Sequence, residues 1–125
     1  MDLYLRNRLQ NSETFRGLKM TTEEIIERYI TEGYNALKTH TAKRSPEIRK
    51  LIRHETVIVD GNEYSCLKEF AVERVAEEIR KILPDCEIEV LLDGNDSTLT
   101  VELTEEEKRK LTGEFYSFLN KYCGV

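Results

Sequence analysis

The spacing of apolar positions predicts two helices in the first half of the chain. Apolar residues that follow Thr21 recur every three to four positions, which predicts an amphipathic helix that ends near His40. Thr21 and Glu24 have the spacing of a capping box, in which each side chain bonds the other residue's N–H, so the helix begins there. Ser45 followed by Pro46 marks a second helix start, with serine as N-cap and proline at the first helical position.

The middle of the chain alternates apolar and polar residues around two similar turns. The turns are Asp60–Asn62 and Asp93–Asn95, and both read Asp-Gly-Asn. Since glycine and asparagine tolerate positive φ, each turn predicts a β-hairpin. Between the hairpins, helical spacing from Leu67 to Leu83 predicts a third helix, which Pro84 ends.

A capping box at Thr104 and Glu107 begins the last predicted helix, which the apolar spacing continues as one element to Tyr122. The predicted order is α-α-β-β-α-β-β-α. Antiparallel strands with one apolar face, covered by helices, are typical of α+β folds. We therefore expect a two-layer α+β domain over residues 21–125, with about four helices and one antiparallel sheet built from both hairpins.

The first residues are predicted separately. Residues 1–20 lack a clean apolar period, so we expect an N-terminal arm or a short helix there. Met20 is an alternative start of translation, because the domain would then begin at a helix cap.

Composition narrows the class of protein. A chain of 125 residues is long enough for one domain, and 39% hydrophobic residues are too many for a disordered chain. No apolar run approaches the roughly 20 residues that span a bilayer, so we expect no membrane partner. The three cysteines form no close pair, which favours a reducing cytoplasm over a disulfide scaffold.

Charge is divided unevenly along the chain, whose formal net charge is −5. Lys38–His54 contains six Lys and Arg and one acid, whereas Ile82–Glu107 contains nine acids and no Lys or Arg. Such asymmetry informs partners and steering rather than fold.

The acidic stretch contains the second hairpin. Glu87, Glu89 and Glu102 are predicted to share the face opposite its apolar residues. Because like charges on adjacent strands are destabilising, their clustering favours a function. The predicted partner-binding residues are Glu87, Glu89, Asp93, Asp96, Glu102, Glu105 and Glu106.

These residues predict a small acidic protein-binding module, such as an inhibitor, immunity or accessory protein. Its partner would be a basic protein, for example a nuclease toxin, because charge complementarity speeds such association. A homodimer is also open. The structural alternative is a face that gives solubility and protects an edge strand from aggregation.

The basic stretch gives the alternative function, nucleic-acid or phosphate binding. The start of the second helix lies beside cations, and a helix N-terminus with free N–H groups suits a phosphate. No aromatic residues are interleaved, and the chain is acidic overall, which argues against a nucleic-acid partner. The predicted anion-binding residues are Lys43, Arg44, Arg49, Lys50 and Arg53.

A cysteine-dependent enzyme is the third hypothesis. Cys66 is placed where a strand meets a helix N-terminus, whose dipole favours a thiolate, and His54 is the candidate base. No oxyanion motif is present, and cysteine is often simply buried, so we expect no enzyme.

Metal and cofactor sites are not expected. The turn after Asp93 has Thr98 and Thr104 where a calcium loop needs glycine and glutamate, and the histidines and cysteines are too widely spaced for zinc. Glycine-rich phosphate loops are absent from the sequence.

Overall fold

A computed structural model describes residues 20–123, in which helices and short antiparallel strands alternate. The mixture confirms an α+β fold. The predicted arm or short helix lies outside the described residues apart from Met20. The elements are α1 (Thr22–Thr39), a 3₁₀ turn (Thr41–Lys43), α2 (Pro46–Ile52), β1 (Val57–Val59), β2 (Asn62–Tyr64), α3 (Leu67–Ile82), β3 (Ile88–Leu91), β4 (Thr98–Val101), α4 (Glu105–Gly113) and α5 (Phe115–Cys123).

Three predicted helix starts are confirmed by their caps. The hydroxyl of Thr21 accepts the Glu24 N–H at 3.1 Å, and that of Thr104 accepts the Glu107 N–H at 3.1 Å. In both caps the glutamate carboxylate bonds the threonine N–H in return. The Ser45 hydroxyl accepts an N–H three residues later at 3.2 Å. These bonds satisfy N–H groups that the first turn of a helix leaves without partners.

Both predicted hairpins form, but they do not join into one sheet. Val57 pairs with Tyr64 in the first hairpin and Ile88 with Val101 in the second. In the described residues each hairpin is a separate two-stranded sheet, so the prediction of a single antiparallel sheet was wrong. The two-layer arrangement stays a prediction.

The hairpins are separate because each covers a different hydrophobic cluster, and α3 contributes to both clusters. The second half of α3 packs with α1, β4, α4 and α5 in the first cluster. The start of α3 packs with α2, β1 and β2 in the second. The buried residues of α3 in the first cluster are Val72, Val75, Ala76 and Ile79, and those in the second are Leu67, Phe70 and Ala71.

The last predicted helix is divided into two, which corrects the prediction of one continuous element. Helix α4 ends at Gly113 and α5 begins at Phe115. At the break the Leu111 carbonyl accepts both the Glu114 N–H at 3.2 Å and the Tyr29 hydroxyl at 2.5 Å, and Phe115 packs edge-on against the Tyr29 ring at 5.1 Å. Burial, with smaller effects of nearby carboxylates, raises the pKa of Tyr29, so this hydroxyl remains a donor at neutral pH.

Candidate functional site

The outer side of the second hairpin carries carboxylates, as the alternation of residues predicted. Glu87, Glu89 and Glu102 are all exposed. Ile88 pairs with Val101 in antiparallel register, so Glu87, which precedes Ile88, stands opposite Glu102, which follows Val101. The inward side chains of the strands pack into the first hydrophobic cluster. We call the exposed predicted carboxylates the acidic face: Glu87, Glu89 and Glu102 on the hairpin, Asp93 and Asp96 at its turn, and Glu105 and Glu106 in the first turn of α4.

The carboxylates of the acidic face are almost all without partners. Among the described residues, only that of Glu105 has a bond, in which Lys108 Nζ donates to its Oε2 at 2.8 Å. The hydrogen bond and charge of Lys108 lower the pKa of Glu105. The other six side chains make no hydrogen bond or ion pair in this part of the chain. Glu87 and Glu102, which stand opposite each other, are therefore like charges on adjacent strands without a bonded cation.

An apolar side chain lies on the same side of the hairpin. Leu91 is 62% exposed and stands opposite the exposed Thr98. Its place in the alternation assigned Leu91 to the polar side, but the sequence analysis gave it no role. Leu91 is therefore an exposed apolar side chain on the side of the hairpin that carries Glu87, Glu89 and Glu102.

The turn of this hairpin is fixed by its own hydrogen bonds. The Ser97 hydroxyl accepts the Asp93 N–H at 2.8 Å and donates to the Gly94 carbonyl at 2.7 Å. Gly94 has a positive φ of 57°, a conformation that glycine adopts without strain. The turn therefore holds the backbone of Asp93 and Asp96 in a defined shape.

Glu69 connects this turn to the start of α3. It is only 8% exposed, and its two carboxylate oxygens accept the Ser65 N–H at 2.7 Å and the Gly94 N–H at 2.8 Å. Burial opposes ionisation, but these hydrogen bonds together lower the pKa of Glu69. The sequence analysis missed this residue. Its position three residues after Cys66, where capping glutamates occur, was the available signal.

The five predicted anion-binding cations, which we call the basic segment, differ from the acidic face because three of them make hydrogen bonds within the chain. All five predicted cations are exposed, yet each arginine already donates to an acceptor of this chain. Of these five cations, Lys43 and Lys50 make no such bond within the described residues. The bonds join Arg44 to the Tyr122 carbonyl at 3.4 Å, Arg49 to the Ala42 carbonyl at 2.7 Å and Arg53 to the Glu55 carboxylate at 2.7 Å.

The start of α2 offers little to a phosphate. Pro46 has no N–H, and the Ser45 hydroxyl already accepts the Ile48 N–H. The same hydroxyl donates to the Glu47 carboxylate at 3.3 Å, which places a negative charge in the first turn. The five cations are therefore close in sequence to the start of α2, but this helix start has few free N–H groups and a nearby carboxylate, which do not favour an anion.

Cys66 lies at the N-cap of α3, as predicted, but it is 3% exposed. His54 is exposed, has a φ of 63° and makes no hydrogen bond to Cys66. Burial of the sulfur restricts its access to a substrate. Cys86, half-buried beside the acidic face, has its pKa raised by burial and by the nearby Glu107 and Glu87.

No cluster of three or more His, Cys, Asp or Glu in residues 20–123 has an arrangement that could hold a metal ion. None of the helices described combines the length and apolar character needed to cross a membrane. Compared with protein-family models, curated proteins and solved structures, the chain shows no match.

Proposed function

We propose that this protein is a small acidic binding module that engages a basic protein partner through the acidic face. It would act as an inhibitor, immunity or accessory protein in a reducing cytoplasm. The observation that carries the proposal is the set of six exposed carboxylates without partners among the described residues. Their mutual repulsion is relieved when a basic surface approaches them.

The arrangement supports binding in two ways. The uncompensated charges attract a basic partner over several ångströms and so raise its association rate. Leu91 then supplies apolar contact among the carboxylates, and its 62% exposure is lost when the partner docks. The bonds of Ser97 and Glu69 hold the hairpin in shape beforehand, which lowers the entropy lost on binding.

The nucleic-acid alternative has less support. Phosphate affinity grows with the number of cations that are available for neutralisation. Of the five predicted cations, only Lys43 and Lys50 lack a bond within the described residues, and Arg53 is paired with Glu55. We therefore place protein binding first.

The test compares wild-type protein with the triple variant Glu87→Gln, Glu89→Gln and Glu102→Gln. A matched control replaces the exposed Glu23, Glu63 and Glu114 by glutamine, so it changes net charge equally away from the acidic face. Each protein is immobilised and exposed to an extract of its native host, with and without nuclease. The captured partner is purified, and its association kinetics are measured at two salt concentrations.

We expect the hairpin variant to associate about tenfold more slowly at low salt, and its association rate to depend less on salt. The control variant should behave as the wild type does. Equal kinetics for the hairpin variant and the wild type would refute the proposal. Capture that nuclease treatment abolishes would favour the nucleic-acid alternative instead.

A further inference from the structure

A concavity that shares no residue with the acidic face opens where three segments of the chain meet. These segments are the middle of α1, the start of α3 and the turn of the second hairpin. Its volume is 220 Å³, below the roughly 300–1,000 Å³ of sites for drug-sized ligands. The lining residues are Ile30, Thr31, Tyr34, Asn35, Lys68 and Asn95.

The lining contains hydrogen-bonding groups and one cation but no carboxylate. This differs from the chain as a whole, which has 24 Asp and Glu against 19 Lys and Arg. Lys68 is half-buried, and its ammonium makes no hydrogen bond or ion pair with the described residues. The side chains of Tyr34, Asn35 and Asn95 are equally without hydrogen bonds in this part of the protein. Ile30, 6% exposed, is the buried apolar residue of the lining.

The carboxylate that follows Lys68 in the chain forms no ion pair with it. Both oxygens of Glu69 accept backbone N–H groups, one of them from Gly94 in the hairpin turn. The turn is closed further by the Asp96 N–H, which donates to the Asp93 carbonyl at 2.9 Å. The backbone next to Asn95 is therefore held in place before any ligand arrives, and the charge of Lys68 remains available.

We propose that this concavity binds a small organic carboxylate. The Lys68 ammonium pairs with the carboxylate, while the Tyr34 hydroxyl and the amides of Asn35 and Asn95 bond a neighbouring hydroxyl or carbonyl group. The adjoining groove on the other side of Lys68, towards β4, is lined by Glu23 and Glu27. Glu27 also accepts the hydroxyl of the lining residue Thr31 at 3.4 Å. Because these acids repel an anion, the ligand is confined to the side of Tyr34 and the two asparagines, away from Thr31.

The proposal is tested by two-dimensional ¹H–¹⁵N NMR of the full chain, titrated with sodium lactate at constant ionic strength. Lactamide, which has the same size and no charge, is the matched neutral probe. We expect saturable millimolar binding of lactate that shifts the amides of Tyr34, Asn35, Lys68 and Asn95. Lactamide, and lactate added to the Lys68→Gln variant, should bind at least about tenfold more weakly. Lys38→Gln, at an exposed lysine near the end of α1, should leave lactate binding unchanged.

A second pair of variants reverses the sign of the charge at the rim. Asn35 is exposed, so Asn35→Asp should weaken lactate binding and Asn35→Lys should strengthen it, with the fold intact in both. This pair also decides the matter should Lys68→Gln fail to fold. Equal binding of lactate and lactamide, equal binding by both Asn35 variants, or the absence of saturable shifts at these residues would overturn the proposal.

Discussion

The basic segment and the acidic face are equally exposed, but they differ in how their charges are used. The three arginines of the basic segment each donate to an acceptor within the chain. Six of the seven carboxylates of the acidic face accept from no group in the described residues. Of the three guanidinium charges, only that of Arg53 is compensated by a carboxylate, that of Glu55.

The geometry of the two regions explains this difference. An arginine has a long side chain with five N–H donors, so it reaches carbonyls that helix ends leave free. Arg49 reaches the Ala42 carbonyl in the 3₁₀ turn, and Arg44 reaches the Tyr122 carbonyl in α5. A carboxylate can bond only to a nearby donor. On a strand, the hydrogen bonds between the paired strands already occupy alternate backbone N–H groups. Glu69, like the capping residues Glu24 and Glu107, lies at a helix start, where N–H groups are available.

The largest effect on stability is expected at Glu69, an acid whose side chain is hydrogen-bonded within the chain. Glu69→Ala leaves the N–H groups of Ser65 and Gly94 without their acceptors, so unfolding free energy should fall by about 2–3 kcal/mol in urea denaturation. The control is Glu73→Ala on the same helix, since Glu73 has only a 3.9 Å contact with Arg80. Equal losses in the two variants would show that Glu69 does not hold the turn.

Lowering the pH should also weaken the hydrogen bonds that Glu69 accepts from Ser65 and Gly94. The pKa of Glu69 is lowered in the folded protein, so its contribution is complete above the unfolded value near 4.5 and is lost as pH falls through the folded value. We expect the urea midpoint of the wild type to fall more between about pH 7 and about pH 3.5 than that of Glu69→Gln. The lowered pKa of the exposed Glu55 and Glu105 acts in both proteins and cancels. Parallel pH profiles would contradict the assignment.

The basic segment should bind nucleic acid only weakly. With Arg53 paired to the Glu55 carboxylate, four of the five predicted cations keep an uncompensated charge, so the slope of log K against log salt for a DNA duplex should be no steeper than about −3.6. The double variant Lys43→Gln and Lys50→Gln should reduce this slope by about 1.8 in fluorescence anisotropy. A slope near −4.5 would mean that all five cations contact phosphates and that Arg53 leaves Glu55.

The smallest effect on stability is expected at the acidic face itself. The triple glutamine variant of Glu87, Glu89 and Glu102 should raise unfolding free energy by at most about 0.2–1 kcal/mol, because it removes repulsion between exposed groups. The Glu23, Glu63 and Glu114 variant serves again as the control in the same urea measurement. A loss above about 1 kcal/mol would show that one carboxylate of the acidic face is bonded within the fold.

Local patterns predicted the features whose partners are close in the chain. The caps at Thr21 and Thr104 are contacts between residues three apart, and alternation of residues was enough to place Glu87 and Glu89 on an exposed side. The single sheet was predicted wrongly, because which cluster each hairpin covers depends on the course of α3. The division of the last helix was missed because the apolar spacing continues across it, and Tyr29, which bonds the Leu111 carbonyl at the break, is 82 residues away.

The same distinction applies to the candidate site. The alternation of residues predicted that the carboxylates of the hairpin are exposed, but it did not predict the hydrogen bonds of Glu69 and Arg44. Gly94 is 25 residues from Glu69, and Tyr122 is 78 residues from Arg44. Such contacts are set by the tertiary arrangement, so composition and periodicity alone give no access to them.

Helix α3 links the unfolding of the two hydrophobic clusters, because it contributes buried residues to both. A two-stranded hairpin is marginally stable alone in water, and each hairpin here lies on a cluster that α3 completes. Exposing either cluster removes packing from one half of the same helix. Amide hydrogens at Val72 and Val75, near the middle of α3, should therefore exchange with solvent only when the whole domain unfolds, while those at the outer edges of the hairpins exchange through smaller local openings.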